Sequence, residues 1–382
     1  MDAIRAPLPS RAYSSPEIHK LEIDTLYRGR WLFVGPASAY RSTNTAAPVD
    51  IAGLDLLITC DEANDLHGFF NVCAHRACHL VTEPATVKRI ACPYHAWVYT
   101  LDGNLVSARS FGGDGSTTIP TSDPQVTGLK PVSLEVWHDL LFINTAPSPR
   151  PLRDTLAPVI ERIGWLQLDQ MQYHSSLEYH FEANWKFIVE NFLESYHVPF
   201  LHHTLDGYSP ATGRYQFQLP GNISGIGTRP YGAAQINNRC LPTWQPTGGR
   251  DYPADFAEYY AVLPNLLLGV MPDHLFAWSL DPVAPEKAIE KLHFFFVGPQ
   301  STTPDLAEHI QLTLDRWMQV NDEDWTIVQN MHRGARSESF KRALLSPVME
   351  RNIIRFQQHI IDLIPAAAHD HTPWTENGNG HH

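Results

Sequence analysis

The chain has little of what several function classes need. No uninterrupted apolar run approaches the roughly 20 residues of a membrane-spanning helix. The first thirty residues do not pass from basic to apolar to small residues, as a secretory signal does. A cytoplasmic protein with no membrane partner is therefore expected. Twenty-eight basic side chains stand against forty-one acidic ones, a net charge of −13, with no basic run able to track a phosphate backbone. That argues against nucleic acid as a partner. Five cysteines in 382 residues are too few, and odd in number, for a disulfide framework. No Gly-x-Gly-x-x-Gly stretch is present to bind a nicotinamide or flavin nucleotide, and there are no internal repeats. What remains is an ordinary globular composition, 43% hydrophobic and 18% charged, in a chain long enough for two domains.

Two of the cysteines sit in paired half-motifs, Cys73-Ala-His75 and Cys92-Pro-Tyr-His95. Each puts one thiolate and one imidazole on its own loop. Zinc and iron both accept such donors, but zinc sites usually space their ligands by two to four residues, whereas Cys-x-His leaves one. The spacing suits a Rieske [2Fe–2S] centre, in which two histidines replace two cysteines on one iron. A zinc-stabilised module is the alternative. Cys60, Cys78 and Cys240 are left over as free thiols.

Short apolar runs broken by turn residues flank these motifs, at 31–34, 54–59, 68–72, 89–91, 97–99 and 140–144, and predict a small all-β domain. Asp102-Gly103 marks its clearest hairpin. Ahead of it, residues 15–32 read as a helix capped by Ser15 with Pro16 in its first turn. The stretch 145–152, rich in proline, marks a boundary. Beyond it, 152–168 reads as a helix and 174–181 as a strand. Residues 184–198 then carry a helical pattern that puts Glu190, Glu194 and His197 on one face. Pro199 should end that helix, and a bend there would let His197 and His202 converge on one metal. A pair of hydrogen-bonded core histidines is the alternative.

Together these stretches resemble the oxygenase (alpha) component of the Rieske non-haem iron oxygenases. The resemblance rests on Cys73-Ala-His75-Arg-Ala77, on Cys92-Pro-Tyr94-His95-Ala96-Trp97, and on Asn184-Trp-Lys followed by Glu194-Ser-Tyr-His197. Ala77 and Ala96 stand where the family usually has glycine. Cys78 occupies the place of a disulfide cysteine in respiratory Rieske proteins, but Tyr94 fills its partner's place, so Cys78 is expected to be a small buried apolar side chain.

The resemblance implies an α+β chain: an N-terminal helical segment (1–45) packing on the catalytic domain, a Rieske domain (46–150), and a catalytic helix-grip domain (151–371). In the last, an antiparallel sheet wraps a long helix, and a disordered tail (372–382) follows. It implies a cluster on Cys73, His75, Cys92 and His95, and a mononuclear Fe(II) on His197, His202 and a carboxylate. Register against Gly334 selects Asp324 as that carboxylate, with Asp322 and Glu323 expected to be solvated charges; the role of His332 stays open. Glu194 is expected to bond the other nitrogen of His197 and to link the two centres across a homotrimer, or a multiple of three.

Dioxygen is the implied co-substrate. A separate flavin and iron–sulfur reductase, or a ferredoxin, supplies electrons. Three strands are expected at 259–269, 275–280 and 289–297, with a fourth at 215–219. Residues 204–253 read as a covering loop whose Tyr208, Tyr215, Tyr231 and Trp244 are candidates for a substrate cavity. Glu194-Ser-Tyr-His-Val-Pro is similar to the branch acting on choline, carnitine and betaines, so the expected reaction is hydroxylation or demethylation of a small organic molecule, a quaternary ammonium compound or else an aromatic or natural product. An electron carrier without oxygenase activity is the remote alternative; it would need only the cluster.

Overall fold

The structure, a computed structural model, describes residues 4–113, 115–117, 119, 121, 123, 127–237, 239–244, 255–298 and 303–369. The expected disordered tail and residues 245–253 of the expected covering loop lie outside them. The chain divides into two compact units, Arg28–Asp154 and a larger one made of Met1–Tyr27 with Thr155–His382.

The smaller unit is built from antiparallel strands. These are β1 (Leu32–Pro36), β2 (Thr45–Ile51), β3 (Leu54–Cys60), β4 (Leu66–Phe70), β5 (Ala85–Thr86), β6 (Ile90–Ala91), β7 (Trp97–Tyr99), β8 (Leu105–Ala108), β9 (Pro131–Trp137) and β10 (Leu140–Asn144). Seven form one sheet in the order β1-β10-β9-β4-β3-β2-β5, and β6-β7-β8 form a second. The unit starts earlier than the expected 46. β1 is buried throughout and pairs with β10, Leu32 opposite Ile143 and Phe33 opposite Phe142, so it belongs to this core. Asp102-Gly103 turns β7 into β8 with Gly103 at φ +86°, a conformation glycine reaches without strain. Leu57, Phe69, Trp97 and Tyr99 pack around Cys73 and Cys92, so both thiols grow out of the core itself.

In the larger unit the N-terminal helix α1 (Pro16–Glu22) is capped by Ser15, whose hydroxyl accepts from the Ile18 N–H at 3.3 Å. It ends sooner than expected, passing into one π turn at Ile23–Tyr27 before Gly29 adopts φ +70°. Its Glu22 is fully buried and accepts from Lys186 Nζ at 2.6 Å and Trp185 Nε1 at 2.9 Å, which ties the N-terminal segment to the catalytic unit. The helix α2 (Leu152–Ile163) follows the boundary.

Next come β11 (Met171–Phe181), β12 (Arg214–Leu219), β13 (Ile223–Thr228), β14 (Ala257–Val262), β15 (Leu266–Val270), β16 (His274–Ala284) and β17 (Lys287–Val297). They form one antiparallel sheet ordered β11-β17-β16-β15-β14-β13-β12. Two expectations are corrected here. The stretch 259–269 is not one strand but β14 and β15, because Pro264 has no N–H to donate to a ladder and falls in the turn between them. Within the expected covering loop, β13 is a central strand. Its Gly225 and Gly227 look like loop residues, yet a side chain there would collide with the Phe217 and Tyr215 rings lying over them. Against this sheet packs one long helix, α6 (Ala307–Ala335), with Trp317 edge-on to Phe276 at 4.8 Å.

Candidate metal centres

Each half-motif in the smaller unit forms a tight loop between strands. The N–H of Ala77 donates to the Cys73 carbonyl at 3.1 Å and that of Ala96 to the Cys92 carbonyl at 3.0 Å. Both alanines sit at φ +56°, the left-handed region that costs a β-carbon about 1–2 kcal/mol. The loops are therefore strained for these residues. Ala77→Gly and Ala96→Gly should each stabilise the unit by about 1 kcal/mol. The check is the temperature at which visible cluster absorption is lost. It should rise in each variant and further in the double, and a fall in both would refute the strain.

The donors of the two loops face one another. The His75 and His95 rings are 4.6 Å apart, and His75 stacks on Trp97 at 4.8 Å. His75 Nδ1 is buried without a hydrogen-bond partner, as an atom kept for a ligand bond would be. Cys73 lies beside Cys92. Burial pushes the Cys73 thiol up, while at Cys92 the same burial is outweighed by the Tyr94 and His95 N–H groups, which draw the thiol down toward thiolate. Tyr99 Oη lies 3.2 Å from Cys73 Sγ, positioned to donate to a thiolate. Two thiolates and two imidazoles so placed fit a Rieske cluster. Cys78 is half-buried, less than expected, and packs against this same core with its thiol beside Cys92. All five cysteines are free.

In the larger unit α3 (Trp185–Phe192) stops well before the expected residue 198. Glu194 explains the break, since its Oε2 accepts the backbone N–H groups of Tyr196 and of His197 (3.2 Å), an alternative to helical pairing. A short helix α4 (Val198–Leu201) then separates His197 from His202, and α5 (His203–Tyr208) follows. The convergence expected from a bend is present, but the break falls at 193–197 and Pro199 does not end a helix: it sits in the first turn of α4, where its missing N–H costs nothing.

His197, His202 and Asp324 bring one donor atom each within 4.8 Å of one another. His202 Nε2 is 3.0 Å and His197 Nε2 3.7 Å from Asp324 Oδ1. The remaining ring nitrogens are both held by carboxylates, His197 Nδ1 by Glu194 and His202 Nδ1 by Glu323 at 2.6 Å. This is the usual support for a metal-bound imidazole, and it leaves both Nε2 atoms for the ion. Burial alone would lower the His202 pKa, but Asp324 and Glu323 outweigh it and raise it. Two imidazoles and one carboxylate fit the facial set of ferrous iron.

Glu323 is thus not the solvated charge expected, because one imidazole offers nitrogens on opposite sides and so reaches two successive helix residues. Asp322 accepts from Tyr179 Oη at 2.9 Å. Sequence reasoning also missed Asn191, whose Nδ2 donates to Asp324 Oδ1 at 3.0 Å. His332 is buried against Phe187, with its Nε2 3.8 Å from Glu286, and lies outside the triad.

A cavity opens beside the triad. From α6 it is lined by Trp317, Asn321, Asp324 and Val328, at spacings of four, three and four residues, and from the sheet by Phe181, Tyr259, Phe276 and Trp278. Phe192 and Arg214 also line it. The four aromatics expected there are not among its walls. Tyr231 and Trp244 are buried core, Tyr215 donates to Glu258 at 2.6 Å, and Tyr208 lies under the Arg316 guanidinium at 4.4 Å.

Comparison with known proteins agrees with this geometry. Residues 30–117 match the Rieske [2Fe–2S] domain, and residues 168–366, more than half the chain, match the ring hydroxylating alpha subunit (catalytic domain). The chain is 25% identical to the glycine betaine monooxygenase oxygenase subunit of Chromohalobacter salexigens, over 91% of this chain and 84% of that protein. It is 26% identical to the carnitine monooxygenase oxygenase subunit of Escherichia coli K12, over 87% and 85%. The solved quaternary ammonium Rieske monooxygenase CntA shares the fold with a TM-score of 0.76 at 21% identity, over 95% of this chain and 96% of that one. Naphthalene 1,2-dioxygenase from Rhodococcus does so at 0.72 and 18%, over 94% of each. With a cluster-type donor set in one unit and an iron-type donor set beside an aromatic cavity in the other, the chain belongs to the ring-hydroxylating oxygenase alpha subunits, and it is the terminal component of a Rieske non-haem iron oxygenase.

Proposed function

We propose that this oxygenase hydroxylates or demethylates a small quaternary ammonium compound. The observation that carries the reading is the cavity wall: Phe181, Phe192, Tyr259, Phe276, Trp278 and Trp317 line the space next to His197, His202 and Asp324. Aromatic faces attract a trimethylammonium group by cation–π interaction, which stabilises it by about 0.5–2 kcal/mol per ring. The relatives named for glycine betaine, carnitine and choline, the last from Arabidopsis thaliana, all act on compounds of this type.

In this reading Cys73, His75, Cys92 and His95 hold the cluster, and His197, His202 and Asp324 hold the iron. The bound iron supplies open coordination positions at which dioxygen is activated. The protein's own groups do the rest. Glu194 and Glu323 fix the two imidazoles, Tyr99 steadies a cluster thiolate, and the rings exclude water and hold a methyl group toward the triad. A separate flavin and iron–sulfur reductase or ferredoxin supplies electrons, because the chain has no nucleotide fingerprint. The protein works in the cytoplasm as a homotrimer or a multiple of it. No helix among the described residues is long and apolar enough to cross a membrane.

The test is oxygen uptake by the reconstituted enzyme with a surrogate reductase. Choline, carnitine and glycine betaine are compared with naphthalene and indole. At least one of the three quaternary compounds should be turned over with stoichiometric product. Turnover confined to the aromatic compounds would overturn the reading.

A further inference from the structure

One charged side chain in the cavity has no assigned task. Glu290, on β17 opposite Leu280 of β16, lines the same space as the triad, yet it is 2% exposed and its Oε1 has no hydrogen-bond partner. No cation pairs with it among the described residues. The charge that acts on it is Asp324, of the same sign, and burial together with that neighbour pushes its pKa up to about 8. A buried carboxylate left unpaired is costly, so folded proteins rarely keep one without a use.

Its surroundings say what would compensate it. Trp278, opposite Leu292, lies one diagonal step away on the same face of the sheet and stacks on Phe276 with centroids 4.2 Å apart. Phe192 and Trp317 complete the group, at 5.6 Å from Trp278 and 4.8 Å from Phe276. An anion at the edge of a box of rings suits a large, weakly hydrated cation that donates no hydrogen bonds.

We infer that Glu290 is the specificity-determining residue that reads the positive charge of the substrate, with the rings reading its shape. The inference rests on the quaternary ammonium reading above. In this arrangement the substrate's cation supplies the missing partner of Glu290 and draws its carboxyl toward the charged form, which the empty cavity disfavours.

The experiment measures binding, not turnover, on the oxidised holoenzyme with its iron in place. Quenching of tryptophan fluorescence is titrated with choline and with its neutral carbon isostere, 3,3-dimethylbutan-1-ol. Wild type should prefer choline at least about tenfold. Glu290→Gln should weaken choline roughly 30-fold and leave the alcohol nearly unchanged, while Glu290→Asp keeps most of the preference. Iron content should match wild type, and ligand-free Glu290→Gln should melt no lower than wild type, because it removes a buried carboxyl oxygen that has no partner. A Glu290→Gln variant that keeps the full preference, loses iron or melts lower overturns the role of Glu290 and leaves the substrate reading standing. Equal binding of the two ligands by wild type, or binding of neither, overturns the substrate reading itself.

Discussion

Asp324→Ala is expected to abolish turnover, at least about 1,000-fold, in a protein that still shows a full cluster spectrum. On the proposed reading three protein donors hold the iron, and losing one breaks the facial set on which the open positions depend. The residues proposed to hold the cluster lie in the other unit, so its absorption and its two irons should survive while the third iron is lost. His197→Ala and His202→Ala should behave alike. Two neighbours on the same helix sharpen the test. Glu323→Gln weakens the hold on His202 Nδ1 and should lower iron affinity about 10–100-fold without abolishing it. Asp322→Ala loses only the bond from Tyr179 and should leave iron content unchanged. Elemental analysis with visible spectroscopy on the five purified variants decides the matter. Iron retained in Asp324→Ala but lost in Asp322→Ala would move the carboxylate by two residues.

That graded series also marks where sequence reasoning runs out. The facing of the two cysteine–histidine pairs was legible because each pair lies within four residues of chain, and local spacing is something a sequence states directly. Asp324 required only the register of one helix. Glu323 was missed because helix periodicity assigns one residue to one face, whereas His202 places a ring between two successive positions. The cavity walls were misplaced for a different reason. His274 to Leu280 are all buried, so the strand shows no alternation of polar and apolar residues, and nothing in its sequence separates Phe276 and Trp278 at the cavity from their buried neighbours on the other face. The aromatics of 204–244 stood out against a polar background and were chosen for that contrast, but two of them simply fill core. The helix end at Phe192 depended on Glu194 bonding its own backbone, a local competition that a carboxylate's spacing does not announce.

Glu194→Gln should keep the protein folded and, with iron supplied in excess, the iron bound, at an affinity lowered about 10–100-fold as in Glu323→Gln, yet slow electron transfer between the centres by orders of magnitude. In a single chain the cluster motifs and the iron triad belong to different units, and a head-to-tail trimer would set one subunit's cluster beside the next subunit's iron. Glu194 is the natural contact in such a ring, because it already bonds His197 Nδ1. The hydrogen bonds of Glu194 limit which atom can serve. Oε2 accepts two backbone N–H groups and has no lone pair to spare, so a histidine N–H from a neighbouring cluster loop would have to reach the free lone pair of Oε1. Both bonds would then meet on one oxygen, a short path between two imidazoles.

The glutamine variant separates the bridge from the turn. Its amide oxygen can still cap Tyr196 and His197, whereas its NH2 group cannot accept from either imidazole. Glu194→Ala also removes the caps and should cost stability by about 1 kcal/mol in addition. The measurement is single-turnover oxidation of the reduced cluster with substrate present, followed by loss of its visible signal. A wild-type rate in Glu194→Gln, with three irons per chain and an intact oligomer, would show that electrons cross by another route.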